Sequence, residues 1–450
     1  NQALKIPLVK LCKMNAIDRF FKISERGSNV RTEFLGAISA YLAVCYLFIV
    51  VPGMLSDAGM PIADATVATI WAAILGTVMI AFIANFPIVV APGLGISAYF
   101  AYYVCGAMGL SWQAACAAVV ISGFVFFLLT VTRVRQAIIQ SIPLDLKLAI
   151  VAGIGAFITI IGLKNAGIVV PNQSTMIGLG NMLAPQAYLT ILGVIIAGVL
   201  IHKGVRLGML IAILAVAVLG IALGVTPTDG ISKMFSTDFK IFPTETIFQV
   251  DFKTMMTVGI VGVLFSITMV DLFDNMSTLI GLSFRAGFMG KGGEIPGLDK
   301  ALISDSVATM GAGLIGTPTS TAILESAVGI EAGARTGLCA LFLAGFFVLT
   351  LFITPVLTLV PAFATACVLI LVGYMMMQGT VTKINFHDIS TGVPCFFTIF
   401  MMPFTFNIAT GLGFGVISFV LLKLLCGKAK EISLTMAILA VVFCGILVSH

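Results

Sequence analysis

The chain has 450 residues, of which 60% are hydrophobic and 10% charged, with a mean hydropathy of +1.15; soluble domains carry about 25% charged residues. A soluble globular protein is excluded, and so is a single anchor, because segments near the roughly 20 apolar residues needed to cross about 30 Å of hydrocarbon recur along nearly the whole chain. The net charge of +5 comes from Lys and Arg lying between apolar runs. That pattern points to membrane topology and not to a nucleic-acid partner.

Residues 1–33 are polar and basic and are expected to form a cytoplasmic segment with no cleavable leader. Windows of helical length then predict spans near 34–52, 65–84, 92–107, 112–131, 145–163, 187–202 and 207–224. A second run follows near 256–280, 301–315, 320–333, 337–356, 361–378, 389–405 and 409–425, with a last apolar stretch from Ile432 to Ser449. The polar stretch from Thr226 to Lys253 joins the two runs and reads as an external linker.

Placing the N-terminus in the cytoplasm puts most of the 24 Lys and Arg on that side, as the positive-inside bias requires. Arg133, Arg135, Lys147, Lys203, Arg206 and Arg285 are counted there, whereas Lys164, Lys233, Lys240 and Lys253 fall outside. An odd number of spans per unit makes a second copy enter the membrane reversed, the geometry of an inverted repeat.

The third span of each run is interrupted. One carries Asn85-Phe-Pro followed by Val90-Ala-Pro-Gly-Leu-Gly-Ile-Ser-Ala98, the other Gly316-Thr-Pro-Thr-Ser-Thr-Ala322. Broken helices leave backbone groups unpaired at membrane depth, which is tolerated only inside protein or beside a polar cavity. Interruptions at matching places in two halves therefore point to the binding site, and put Gly95, Ser97, Thr319 and Ser320 there.

Acidic residues within spans are the other exceptions, since Asp at the centre of a membrane helix costs about 2.5–3.5 kcal/mol on insertion scales. Asp271 and Asp274 stand three apart, so a helix sets both near one face. Glu325 follows the second interruption, and no Lys or Arg lies nearer these acids in sequence than Arg285 and Arg335. A carboxylate that takes up and releases a proton at membrane depth is a natural carrier for symport. Asp274, next to Asn275, suits gating as well as ligand contact, and Asp305 reads as a helix-start or packing acid.

Tyr99, Phe100 and Phe273 could stack on a flat heterocycle. The nine cysteines mostly sit in apolar runs, without metal-ligand spacing, and neither a metal set nor a phosphate-binding loop is present in the sequence. No cofactor is expected, and an intramembrane enzyme is not supported.

At these motifs the sequence resembles the AzgA-like purine permeases, the adenine and hypoxanthine/guanine branch of the nucleobase:cation symporters, from about Phe20 to the C-terminus. The matching stretches are Gly27-Ser-Asn-Val-Arg-Thr-Glu33, Ala84-Asn-Phe-Pro-Ile-Val-Val-Ala-Pro-Gly93, Gly162-Leu-Lys-Asn-Ala-Gly167, Asp271-Leu-Phe-Asp274 with Thr278-Leu-Ile-Gly281, and Glu325-Ser with Arg335-Thr-Gly337.

The resemblance implies an all-α polytopic fold of fourteen membrane segments, as two inverted sevens with short strands in broken helices 3 and 10. It implies a core domain (34–135 and 256–358) moving against a gate domain (136–225 and 359–430), with a linker at 226–255, a C-terminal apolar segment at 431–450, and homodimers formed through the gate. Asp271 and Glu325 correspond to the family's purine-binding carboxylates, and Asp274 to an acid needed for transport. Ser97 stands where the family usually has Asn in Gly-Leu-Asn-Ala, which alters the contacts offered to a base.

The expected function is import of hypoxanthine, guanine or adenine by proton symport across a plasma membrane, such as a bacterial inner membrane. The partners are then the base, the proton, membrane lipid and a second copy. A pyrimidine, xanthine or anion carrier on the same scaffold, or a purine receptor or channel, is the alternative.

Overall fold

A computed structural model describes residues 16–132, 134–226, 240–257, 260–288 and 295–448. A short helix, α1 (Ala16–Phe21), precedes the first long pair, α2 (Val30–Val44) and α3 (Leu47–Asp57). Asn29 caps α2, its side chain accepting the Thr32 N–H at 2.9 Å, one of the donors a helix start leaves unpaired. Next come α4 (Ile62–Ile83), strand β1 (Val90–Pro92), α5 (Leu94–Ala98) running into a π-helical stretch (Tyr99–Ala107), and α6 (Trp112–Val131). Pro61 precedes α4 and Ser111 caps α6.

The first half continues with α7 (Val134–Ser141), α8 (Leu144–Asn165), a hairpin of β2 (Val169–Asn172) and β3 (Met176–Leu179), α9 (Pro185–His202) and α10 (Gly208–Ala222). The second half holds α11 (Phe252–Thr257), α12 (Ile260–Arg285), α13 (Leu298–Ile315), β4 (Ser320–Ala322), α14 (Ser326–Glu331) and α15 (Gly337–Thr350). It ends with α16 (Thr354–Leu357), α17 (Ala362–Gln378), α18 (Ile389–Thr405), α19 (Ile408–Leu425) and α20 (Leu434–Val448).

Eight helical segments among the described residues are long and apolar enough to cross a membrane. Long α12 is continuous and carries Asp271 and Asp274 within it, and α10, α18 and α20 are shorter apolar helices. The chain is thus a helical polytopic membrane protein. Outer faces such as Ile195 and Val199 on α9 and Phe396, Phe400 and Phe404 on α18 stay exposed, as helices bordered by lipid require.

The helices associate in two sets. α13 packs on α4 and α6, α15 on α2 and α4, α14 on α2, and α12 on α6; α17 packs on α8, α9 and α10, and α18 on α8 and α19. Small residues allow the close crossings. A Cβ on Gly155 would lie 2.7 Å from the Gly373 carbonyl, and one on Gly373 would lie 2.0 Å from Thr159 Oγ1, so α8 and α17 touch backbone to backbone.

Several features differ from the sequence reading. The connection after α8 forms the β2–β3 hairpin, Val169 opposite Leu179 and Asn172 opposite Met176; it lacks the alternation of a half-buried strand, so periodicity gave no signal. The first span begins at Val30, earlier than residue 34, because its polar first turn is buried at Glu33. Much of the 226–255 linker lies outside the described residues; its end is tied down, with Lys240 paired to buried Asp64, and Phe248 N–H donating to Leu314 O at 2.7 Å.

Gly373→Leu should separate α8 from α17 and lower stability by about 1–3 kcal/mol, read as a lower melting temperature in detergent. Gly345→Leu, where a Cβ meets nothing within 4 Å, should melt like the parent; equal melting of both variants contradicts this packing.

Candidate functional site

The two interrupted segments meet. β1 and β4 pair antiparallel, with Val90 opposite Ala322, Ala91 opposite Thr321 and Pro92 opposite Ser320, and all of these residues are buried. The ladder runs one step further, Ile323 N–H donating to Val89 O at 2.9 Å.

Side chains satisfy the groups this short ladder leaves over. Thr77 on α4 serves both polar groups of Val90, accepting its N–H and donating to its carbonyl, each at 3.2 Å. Ser326 Oγ accepts the Val89 N–H at 2.9 Å, Asn275 Oδ1 accepts the Ala322 N–H at 3.1 Å, and Thr309 donates to Ser320 O at 3.3 Å. Gly316, at φ +102°, ends α13 and turns the chain toward β4, a conformation glycine adopts without steric cost. A Cβ there would sit 2.7 Å from that of Thr246.

The nominated carboxylates gather around the paired strands. Asp271 is fully buried, neither of its oxygens has a hydrogen-bond partner in the protein, and the same holds for Thr319 Oγ1, which it faces. A Cβ on Gly93 would lie 3.4 Å from Asp274 Oδ2, which puts that carboxylate at the junction of β1 and α5. Glu325, just before α14, accepts a hydrogen bond from Tyr46 Oη and lies within electrostatic reach of Asp274.

Ser97 on α5 and Ser320 on β4 are buried, and neither hydroxyl has a protein partner. Gly95 sits where α5 meets α8, its notional Cβ 2.6 Å from Ile154. Phe273 is buried in the apolar core. Two residues along a helix turn it about 200° from Asp271, so it is not brought to the face that carries the acids.

Sequence reasoning missed three members of this region, Asn275, whose amide accepts the Ala322 N–H, Tyr46 and Arg135. Tyr46 is a hydroxyl in an otherwise apolar run, and nothing in one dimension links it to Glu325. Arg135, counted above with the surface cations, is instead fully buried on α7 and ion-paired to Asp305 Oδ2 at 3.0 Å. Asp305 lies two turns into α13, because that helix starts at Leu298, so it is a buried ion-pair partner and not a helix-start acid. Asp274 lies mid-helix, since α12 runs on to Arg285. The acids therefore have a guanidinium within electrostatic reach, Arg135 acting on Asp271, despite its distance in sequence.

Three of the quoted motifs converge as a clasp. Glu33 accepts the backbone N–H of Arg335 at 2.9 Å and of Thr336 at 3.3 Å. Asn85 accepts the Gly337 N–H and donates to Phe21 O, both at 2.7 Å, and Arg26 donates to the Asn85 and Arg335 carbonyls.

Apolar helices around two short paired strands, with acids buried beside them, define a multi-pass membrane transport protein. The sequence model of the Permease family (Xan_ur_permease) matches residues 31–414, and the chain belongs to that family. Adenine permease AdeP of Escherichia coli is 35% identical over 427 residues, covering 95% of each chain. Guanine/hypoxanthine permease PbuG of Bacillus subtilis is 36% identical over 433 residues, covering 94% of this chain and 98% of that one. These relatives are permeases and not enzymes. Among solved structures, the transmembrane domain of the cyanobacterium bicarbonate transporter BicA shares the fold, with a TM-score of 0.63 at 15% identity over 86% of this chain and 97% of that one.

Gly93→Ala tests the site's packing, because the added carbon would lie 2.6 Å from Thr321 Oγ1. It should reduce transport by about tenfold or more while the protein still reaches the membrane, the cost of overpacking being about 1–3 kcal/mol; unaltered transport contradicts the tight junction.

Proposed function

We propose that the protein is a secondary active transporter importing a purine base, hypoxanthine, guanine or adenine, by proton symport. One observation carries the reading: four nominated residues, Ser97, Asp271, Thr319 and Ser320, have buried side-chain oxygens with no hydrogen-bond partner in the protein, around the β1–β4 ladder. Buried polar groups are almost always satisfied, and a small planar solute rich in donors and acceptors would satisfy them. A neutral purine offers ring N–H donors to a carboxylate and ring nitrogens to hydroxyl donors.

In this reading Asp271 and Glu325 are the principal acceptors for the base. Ser97, Thr319, Ser320 and Gly95 shape the rest of the pocket, and Phe273 contributes through packing. Asp274 and Glu325 handle the coupling proton, a role supported by their mutual reach and by the Tyr46 hydroxyl on Glu325. The named substrates of AdeP and PbuG support a purine as the cargo.

The proposed architecture is fourteen segments in two inverted sevens, the N-terminus in the cytoplasm of a plasma membrane and the linker at 226–255 outside. Residues 34–135 and 256–358 form the core and 136–225 and 359–430 the gate, two copies meeting through the gate. The division is supported by the two sets in which the helices pack. Transport follows as an elevator-like shift of core against gate. One contact that must break lies at the end of α3, where Tyr102 donates to Asp57 at 2.7 Å and receives Asn165 Nδ2 of α8 at 2.9 Å.

Uptake of labelled hypoxanthine and adenine into cells tests the proposal. Uptake should be concentrative, collapse with a protonophore, and be inhibited by purines but not uracil. Asp271→Asn and Glu325→Gln should each weaken it about 10- to 100-fold at unchanged membrane levels, the scale of a hydrogen bond to a charged group, and Ser97→Asn should reorder inhibition among the purines. Uracil or bicarbonate as the competing solute, or normal affinity in Asp271→Asn, overturns the reading.

A further inference from the structure

Arg135 is a buried cation that the transport reading leaves without a task. It sits on α7 with no solvent exposure, its guanidinium 4.4 Å above the Phe126 ring and 3.0 Å from Asp305 Oδ2. A second arm points at the Leu302 carbonyl at 3.5 Å. Burying such a pair costs several kcal/mol per ion before the mutual attraction is counted, and well-packed apolar residues commonly serve stability as well or better. Stability alone is a weak reason for this pair at this place.

Its neighbours supply a better one. Asp305 Oδ1 and Asn275 Nδ2 each lack a hydrogen-bond partner in the protein, and the Asp305 carboxyl lies close enough to the Asn275 amide to interact with it. The other end of the same amide, Asn275 Oδ1, accepts the Ala322 N–H that closes β4. An Asn side chain can turn over and present either end. A carboxylate beside it selects the orientation with NH2 toward Asp305 and the carbonyl toward the strand, and the ion pair with Arg135 fixes that carboxylate in place. Asn275 is one helical turn from Asp271, on the same face of α12.

We propose that Arg135 is a positioning residue for the substrate site: through Asp305 it sets the side-chain amide of Asn275, and through that amide it holds strand β4 in register beside Asp271 and Glu325. The proposal rests on the purine-site reading only for its functional consequence; the structural chain can be tested without any ligand.

The experiment compares Arg135→Gln, Asn275→Ala, their combination, and the neutral pair Arg135→Met with Asp305→Leu, all as full chains in detergent or nanodiscs. Hydrogen exchange is read on peptides spanning 317–326 without substrate, and adenine and hypoxanthine affinities are measured alongside. Arg135→Gln and Asn275→Ala should each speed exchange at the Ala322 amide and weaken base binding about tenfold, and their combination should cost no more than the worse single change, since both act through one chain. The neutral pair should melt near the parent yet keep the fast exchange and weak binding. A neutral pair that matches the parent in both readouts makes the ion pair a packing element and overturns the proposal, as do additive losses or unaltered exchange in folded Asn275→Ala. If the parent binds neither base, the purine reading fails while the exchange result still decides the role of Arg135.

Discussion

Backbone amides inside a membrane protein must be paired within the protein, and the structure turns on how two interrupted helices meet that demand. Neither break can satisfy itself. Each three-residue strand completes the other, and the surplus groups go to Thr77, Asn275, Ser326 and Thr309, drawn from α4, α12, α14 and α13. Two of the helices that hold the ladder, α4 and α13, also pack on each other. Segments more than two hundred residues apart are joined at a single place, and the acids of α12 come to lie there.

Charge follows from the same geometry. Asp271, Asp274, Asp305 and Glu325 share one region with the guanidinium of Arg135. Arg135 is committed to Asp305 and Tyr46 to Glu325, whereas Asp271 has no hydrogen-bond partner in the protein. That contrast sets Asp305, held in an ion pair, apart from Asp271. It also shows why an arginine at a predicted span end cannot be assigned to the surface by position alone: α7 bends it back under α6 and against α13.

Much of the fold was legible because membrane spans announce themselves by length and hydropathy. The expected spans at 112–131 and 389–405 coincide with α6 and α18, and the Gly- and Pro-rich stretches located both strands. Boundaries failed where polar residues are buried by partners distant in sequence: Glu33 extends α2 backwards because its carboxylate serves amides at Arg335 and Thr336. The acids that gather near the paired strands stood out in the sequence as costly exceptions within apolar runs. Tyr46, Arg135 and Asn275 were not, since their importance lies in contacts that bridge the two halves, and Phe273 was drawn toward the site by adjacency in sequence when a helix turns it away.

The most direct test of the central claim is a cryo-EM map of the protein with hypoxanthine or adenine bound. The account predicts the base beside the β1–β4 ladder, a ring N–H within about 3 Å of Asp271 or Glu325, the usual span of a hydrogen bond. A base lodged elsewhere, with Asp271 sealed from it, would contradict the account.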